Sequence, residues 1–372
     1  MRIMLDATSL LLPSAGVKTY MYYWIRSLQR SGTQDTIRLF PFFGRLAELD
    51  HQSSSVGARR TALAAMAVYF SNIGWNPILE VVGCAADVFH ASQHLRNPPH
   101  RATRLTATIY DMTCWLMPEL HVSANVNATR RYGERVLRRA EACIAISEQS
   151  KQDAVEILKL PADRIEVIYP GVAEEFFTVD RPQAQAVAKR HRLDKPYLLY
   201  VGTIEPRKNV DRLLDAYRSI CDPVRKEHEL VVAGPLGWCS EATKERLRAP
   251  EPGIRYLGYV SEADLPGLTA GAAAFVYPSL YEGFGLSVAQ AMACGVPAIA
   301  SRGSALGEIA GGDAILVDPR DTGAIAAAIE QLLGSPSLRE DLGQRGRLRA
   351  ASFRWERNAQ QSLAFFHKFA SR

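Results

Sequence analysis

The sequence predicts two open α/β domains in one chain, each a parallel sheet with helices on both faces. Three observations carry this. A length of 372 residues suits two domains better than one. Short apolar runs alternate with helical patterns in a repeated strand–turn–helix series. The series stops at Tyr169-Pro170-Gly171 and starts again after Pro196.

In the first series, residues 2–5 read as a strand. A helix follows, with Val17, Tyr20, Met21, Trp24, Ile25 and Leu28 spaced along one face. Further strand-like runs lie at residues 37–42, 87–89, 106–109, 142–146 and 165–168. Ser147 is placed as the N-cap of the helix after the fourth of these. Residues 44–83 give no clear assignment, although 61–70 are apolar enough for a buried core helix. The stretch with Pro182, a short helical pattern and Pro196 reads as the interdomain connection.

The second series opens with a strand at 197–201 that ends at Gly202, and Asn209 is expected to cap a helix carrying Val210, Leu213, Leu214 and Tyr217. Strands are expected at 230–233, 254–257, 273–277, 296–300 and 314–317, with the last helix near 355–369. Two such domains imply a cleft, with ligands just beyond the carboxyl ends of the strands.

Composition narrows the function. Hydrophobic residues are 47% and charged residues 22% of the chain, as in an ordinary globular protein. The net charge of +5 gives no nucleic-acid footprint and does not oppose an anionic small molecule. Cys84, Cys114, Cys143, Cys221, Cys239 and Cys294 form no CxxC pair and no zinc spacing, so they read as mostly reduced core residues of a cytoplasmic protein. The start, MRIMLDATS, does not read as a signal peptide, and no run reaches the roughly 18 apolar residues of a membrane span.

The strongest local signal is Tyr281-Glu282-Gly283-Phe284-Gly285-Leu286-Ser287, between a strand and a helix. Its glycines allow close approach of backbone to ligand, and a helix start suits a phosphate. Glu282 would repel that phosphate, so it is expected to accept hydrogen bonds from sugar hydroxyls. Ser287 and Gln290 also fit the S-x-x-Q of a capping box, and Gly295 with Pro297 ends the helix.

The second signal is the loop Gly202-Thr203-Ile204-Glu205-Pro206-Arg207-Lys208-Asn209, where Arg207 and Lys208 would compensate a diphosphate. In the first domain, Gly16 could border a phosphate or simply start a helix, and Tyr110 and Asp111 could face a reacting sugar. His90 reads as structural. There is no Asp-x-Asp motif, no Walker motif and no GxSxG, so no metal or other cofactor is expected.

These residues together resemble the retaining glycosyltransferases of family 4. The resemblance rests on VGTIEPRKN, VVAGPLGW, YLGYVSEADL, PSLYEGFGLSVAQAMACGVPAIAS, GEIAGGDAILVDP and FRWERNA, and more weakly on LDAT…GVKTY and TIYDMTCW. It implies the GT-B fold: two Rossmann-like domains facing across a deep cleft. Residues 1–180 would be the acceptor-side domain, 181–354 the nucleotide-sugar domain, and the helix 355–372 would cross back to the first.

By the same resemblance Arg207 and Lys208 hold the donor diphosphate and Glu282 contacts the donor sugar. Phe284, Gly285 and Leu286 offer amides to sugar and phosphate. Gln290 holds the ribose, Tyr259 and Val260 lie by the base, and Gly16 and Gly202 border the donor site. Two positions depart from the family: Gln290 replaces its second glutamate, and Tyr110 stands where it often has histidine. The TIEPRKN variant resembles mannosyltransferases, which favours a GDP-mannose donor and a glycan or lipid-linked acceptor in surface polysaccharide synthesis. Nucleic acid is not an expected partner; a cytoplasmic location is expected, with a peripheral contact at the inner face of the membrane as the alternative to a wholly cytoplasmic one. A nucleotide-sugar epimerase and a nucleotide-sugar-binding protein without transfer remain alternatives.

Overall fold

The computed structural model describes all residues except 12–15, 42–45, 52–53, 55–60, 63–65, 67–68, 70–79, 81–84, 94, 96, 100–103 and 371–372. Most of the apolar helix expected at 61–70, and Cys84, lie outside the described residues. The chain divides into two compact units, Met1–Gly171 with Arg354–Arg372, and Val172–Phe353.

The first unit has a six-stranded sheet in the order β2-β1-β3-β4-β5-β6. Its strands are β1 (Arg2–Asp6), β2 (Thr36–Phe40), β3 (Val88–Ala91), β4 (Leu105–Ile109), β5 (Ala142–Ala145) and β6 (Ile165–Val167). All pairs are parallel. Every residue of β3, β4 and β5 is buried. Strands covered on both faces read as continuous apolar runs, which is why they were visible as such in the sequence.

Helix α1 (Gly16–Arg30) buries Tyr20, Met21, Trp24, Ile25 and Leu28 along the stripe that its spacing implies. Helix α2 (Ser123–Tyr132) runs into a π turn at Gly133–Leu137. Helix α3 (Glu148–Leu158) is capped as expected: the Ser150 amide donates to Ser147 Oγ at 3.0 Å.

The second unit repeats the plan with β7 (Tyr197–Val201), β8 (Glu229–Ala233), β9 (Ile254–Gly258), β10 (Ala274–Tyr277), β11 (Ala298–Ser301) and β12 (Ile315–Val317). Its sheet has the order β12-β11-β10-β7-β8-β9, again with parallel pairs throughout. Helices α4 (Val210–Ser219), α5 (Leu265–Ala270), α6 (Leu286–Ala293) and α7 (Ser304–Ala310) cover it. The last helix, α8 (Trp355–Ala370), belongs to the first unit, where Trp24 Nε1 donates to Ser362 Oγ at 3.0 Å.

Four expectations need correction. The second unit opens at Val172, not at residue 181, because a short helix at Glu175–Thr178 buries Phe176 and Phe177 within it. The stretch read as a connection is likewise part of this unit. Its helix Arg181–Arg190 carries a capping box of Asp180 and Gln183, and Val187 packs so closely on α5 that a Cβ at Gly267 would stand 2.5 Å from it. Asn209 precedes α4 but makes no side-chain cap, since its backbone is left-handed (φ 61°). Ser287 and Gln290 form no capping box: α6 starts two residues earlier than that box requires, with Gly285 at the N-cap position, so Ser287 already lies inside the helix. Among the cysteines, Cys114, Cys143 and Cys239 are buried and Cys221 is exposed.

Candidate active site

The chain leaves β7 for β8 and β9 on one side and resumes at β10 on the other, so β7 and β10 flank the point where strand order reverses. A crevice opens at such a point, beyond the carboxyl ends of the strands. The two loops singled out in the sequence both start there. Residues 202–209 follow β7 and residues 278–285 follow β10.

Hydrogen bonds fasten these loops together. Asn209 Nδ2 donates to the carbonyls of Pro278 (2.9 Å) and Pro319 (2.7 Å). The Leu280 amide donates to the Arg207 carbonyl at 2.8 Å. The left-handed turn that denies Asn209 a cap thus turns its amide into a tie between loops.

Four charges meet in this frame. Lys208 Nζ donates to Glu282 Oε1 at 2.6 Å and to the Tyr277 hydroxyl at 2.9 Å. Arg207 Nη1 lies 3.0 Å from Glu282 Oε2 and donates to the Tyr281 carbonyl, while Nη2 donates to Glu205 Oε1 at 2.6 Å. Ser279 Oγ gives Glu282 Oε1 a further bond at 2.6 Å. Glu205, Arg207 and Glu282 are buried and Lys208 nearly so, with no charged side chain more than 12% exposed. Two cations and two carboxylates leave the cluster neutral.

Burial works against ionising Glu282, but Arg207, Lys208 and the Ser279 bond overcome it and hold the carboxyl down at about 2. Burial and the neighbouring Arg207 lower the Lys208 ammonium from its usual value, and Glu282 and Glu205 push it back up. The Tyr277 phenol goes up, through burial and the adjacent Glu282.

The backbone of Glu282 is also fixed. Its amide donates to Ser304 Oγ at 3.2 Å, and its carbonyl accepts from the Ala305 amide at 3.3 Å. Ser304 does this from a left-handed backbone (φ 61°), a conformation that side chains other than glycine rarely adopt. Gly285 sits at φ 97°, and a Cβ there would stand 2.3 Å from Leu306 Cδ2. Only glycine lets the loop turn this closely over α7 into α6.

Comparison with known proteins fits this arrangement. The family described as glycosyl transferases group 1 matches residues 183–349, and glycosyltransferase family 4 matches residues 14–176. The chain is 35% identical over 268 residues to O-antigen chain mannosyltransferase B of Escherichia coli, covering 71% of this chain and 70% of that protein. The chain belongs to glycosyltransferase family 4.

Two other relatives are matched over less of their length. An MMP alpha-(1->4)-mannosyltransferase of Mycolicibacterium hassiacum is 32% identical, over 64% of this chain and 57% of that protein. The serotype-specific mannosyltransferase WbdA of Escherichia coli is 28% identical, over 61% of this chain and 29% of that protein. Among solved structures, sucrose-phosphate synthase of Thermosynechococcus elongatus has a TM-score of 0.73 at 19% identity, with both chains covered in full. Anabaena HepE in complex with UDP and glucose has a TM-score of 0.70 at 16% identity, over 99% of this chain and 100% of that one. These likenesses give this glycosyltransferase the GT-B fold.

The other residues marked in the sequence take their places within each unit. In the second unit, Gly202 follows β7 directly, where a Cβ would stand 3.1 Å from the Tyr200 hydroxyl. Phe284 is buried edge-on against Phe353, 5.4 Å between centroids. Leu286 and the buried Gln290 lie on α6, and Tyr259 with the buried Val260 follows β9.

In the first unit, Gly16 is an exposed helix start. Tyr110 is buried edge-on against Tyr20 at 5.4 Å, and Asp111 Oδ1 accepts from the Thr113 amide and hydroxyl. Those contacts explain both residues locally. His90 is fully buried between Thr106 and Thr108, and burial pushes its imidazole down to about 3.

The sequence reading missed Glu205, Tyr277 and Ser279. Tyr277 meets Lys208 across neighbouring strands, which no local pattern reports, and Ser279 bonds Glu282 three residues on within the loop after β10. Glu205 stood in the quoted loop, and its pairing two residues on with Arg207 was the available signal. Among the described residues, no three His, Cys, Asp or Glu side chains gather at a metal-binding distance. No helix of the described residues is long and apolar enough to cross a membrane.

Proposed function

We propose that this family 4 glycosyltransferase is a retaining, metal-independent mannosyltransferase that uses GDP-mannose. Its acceptor is a glycan or lipid-linked glycan of a surface polysaccharide. The observation that carries the reading is the buried Arg207–Lys208–Glu282 cluster at the strand-order reversal of the second sheet. The choice of mannose follows the names of the relatives.

Arg207 and Lys208 take the donor diphosphate. Lys208 has two of its three donors engaged, by Glu282 and Tyr277, and can turn the third to a phosphate oxygen. As the bond from the anomeric carbon to the phosphate oxygen breaks, both cations stabilise the charge that develops on the leaving diphosphate. The acceptor hydroxyl attacks from the same face, and its proton passes to the leaving phosphate oxygen. Glu282 Oε1 accepts bonds from Lys208 and Ser279, and Oε2, ion-paired with Arg207, keeps lone-pair capacity for a donor hydroxyl.

A thermal-shift comparison of GDP- and UDP-sugars tests the donor, because a ligand of the folded form alone raises the melting point. GDP-mannose is expected to give the largest shift. Transfer unchanged by EDTA, and a product whose anomeric configuration matches the donor by NMR, are the expected results. A larger shift with UDP-sugars, loss of transfer in EDTA, or an inverted product would each overturn the corresponding part.

A further inference from the structure

We propose that Glu205 is a positioning residue for the diphosphate end of the donor: it holds the Arg207 guanidinium in place and offsets one of the site's two cationic charges, so that the nucleoside diphosphate product is released. This rests on the reading that Arg207 and Lys208 take the diphosphate.

The tight turn at Pro206–Lys208 brings the two side chains together. The Lys208 amide donates to the Glu205 carbonyl at 3.0 Å, and Arg207 Nη2 donates to Glu205 Oε1 at 2.6 Å. The Glu205 side chain is 5% exposed. Stability is a weak reason to bury such a pair, since well-packed apolar side chains commonly serve as well or better. Two other properties of the pair bear on the reaction.

The first is geometry. With Nη2 tied to Glu205 and Nη1 to Glu282 and the Tyr281 carbonyl, the guanidinium plane has one orientation. A leaving group is stabilised best by donors that need not reorganise.

The second is charge. Without Glu205 the cluster would carry one net positive charge. A nucleotide-sugar carries about two negative charges on its diphosphate. The free nucleoside diphosphate carries up to about three, because its terminal phosphate titrates again near pH 6. Extra positive charge therefore tightens product more than donor, and Glu205 opposes that bias.

The test uses the full chain, with GDP and UDP affinities by calorimetry and turnover followed as release of nucleoside diphosphate. Glu205→Gln keeps the size and one acceptor oxygen. It should bind the nucleoside diphosphate roughly 3- to 10-fold more tightly. Its kcat should fall by up to the same factor as release becomes limiting, and KM for the donor should fall with it. A residue that served only the fold would give the opposite split, with weaker binding and a lower melting point.

Glu205→Asp keeps the charge but shortens the reach. Product affinity should stay near that of the wild type while kcat drops, and this variant decides the matter should Glu205→Gln not fold. In the Arg207→Ala background Glu205→Gln should still tighten the product through the lost negative charge, while its effect on kcat through the guanidinium should vanish. Unchanged or weaker product binding in folded Glu205→Gln, or altered product affinity in Glu205→Asp, would overturn the role of Glu205 alone. Nucleoside diphosphate affinity untouched by Arg207→Ala would overturn the diphosphate reading as well.

Discussion

At the scale of single residues, Glu282 makes the most exacting demands. Its folded-state value of about 2 lies below the ordinary 4.5 of an unfolded glutamate. Above about pH 5 the carboxyl is ionised in both states, and its contribution to stability is fully present. As the pH falls from 4.5 towards 2, the unfolded chain takes up its proton first and that contribution is lost. Glu282→Gln should therefore flatten this acid limb in unfolding titrations, while a limb of wild-type steepness would place the lost protons elsewhere. The same variant should lower kcat roughly 10- to 1000-fold without weakening binding of the free nucleoside diphosphate, which lacks the sugar and meets a cluster left with one net positive charge. Gln290→Glu separates a ribose contact from a packing role. A ribose contact predicts retained or better donor affinity despite the cost of burying a new charge, whereas a packing role predicts lower stability alone. Arg207, Lys208 and Glu282 were legible because their types and their places after strands already argue for a charged ligand. Their mutual bonds were not, since 74 residues separate Lys208 from Glu282 and only the reversal of strand order brings them together.

At the scale of elements, strands were the most legible feature. Central parallel strands buried on both faces leave uninterrupted apolar runs, and the twelve strands among the described residues, the partly exposed β2 and β9 included, lie on runs marked in the sequence. Helix starts were less so. The motif S-x-x-Q at Ser287 satisfies the pattern of a capping box, yet the positive φ of Gly285 begins the helix one residue before Ser287, and no side chain caps it. Tertiary packing decides here: the Gly285 turn must pass over Leu306 of α7. Gly285→Ala should accordingly cost roughly 1–3 kcal/mol, from the positive φ and from the clash together. Adding Leu306→Ala removes the clash but opens a cavity in a fully buried position. If the clash dominates, the double variant should be more stable than the sum of the two single losses, as chemical denaturation can measure. Strict additivity would leave the backbone conformation as the whole cause.

At the scale of the molecule, the chain closes its first unit with its last helix. Trp355, Phe365, Phe366 and Phe369 of α8 are buried, and α8 packs along α1. Phe366 is fully buried, with its ring edge-on to His90 at 5.4 Å and to Phe365 at 5.6 Å. Residues 1–171 thus cannot complete their core until residue 370 has been made, a dependence that the strand–helix pattern, which stops at Gly171, does not report and that only the family resemblance implied. Phe366→Ala should remove roughly 3–5 kcal/mol from the first unit, through lost transfer free energy and the cavity left behind. The Arg207–Lys208–Glu282 cluster lies wholly in Val172–Phe353, whose core contains none of these aromatic residues. GDP affinity measured well below the melting point should therefore be close to that of the wild type, even as the first unit's transition moves to lower temperature. Saturating GDP should raise the transition of the second unit in both proteins by the same increment, because the increment depends only on ligand concentration relative to Kd. A Phe366→Ala protein that lost GDP binding in step with its stability would show that the second unit does not hold its site unaided, and the assignment of the nucleotide to Arg207 and Lys208 within that unit would then need a contribution from the first.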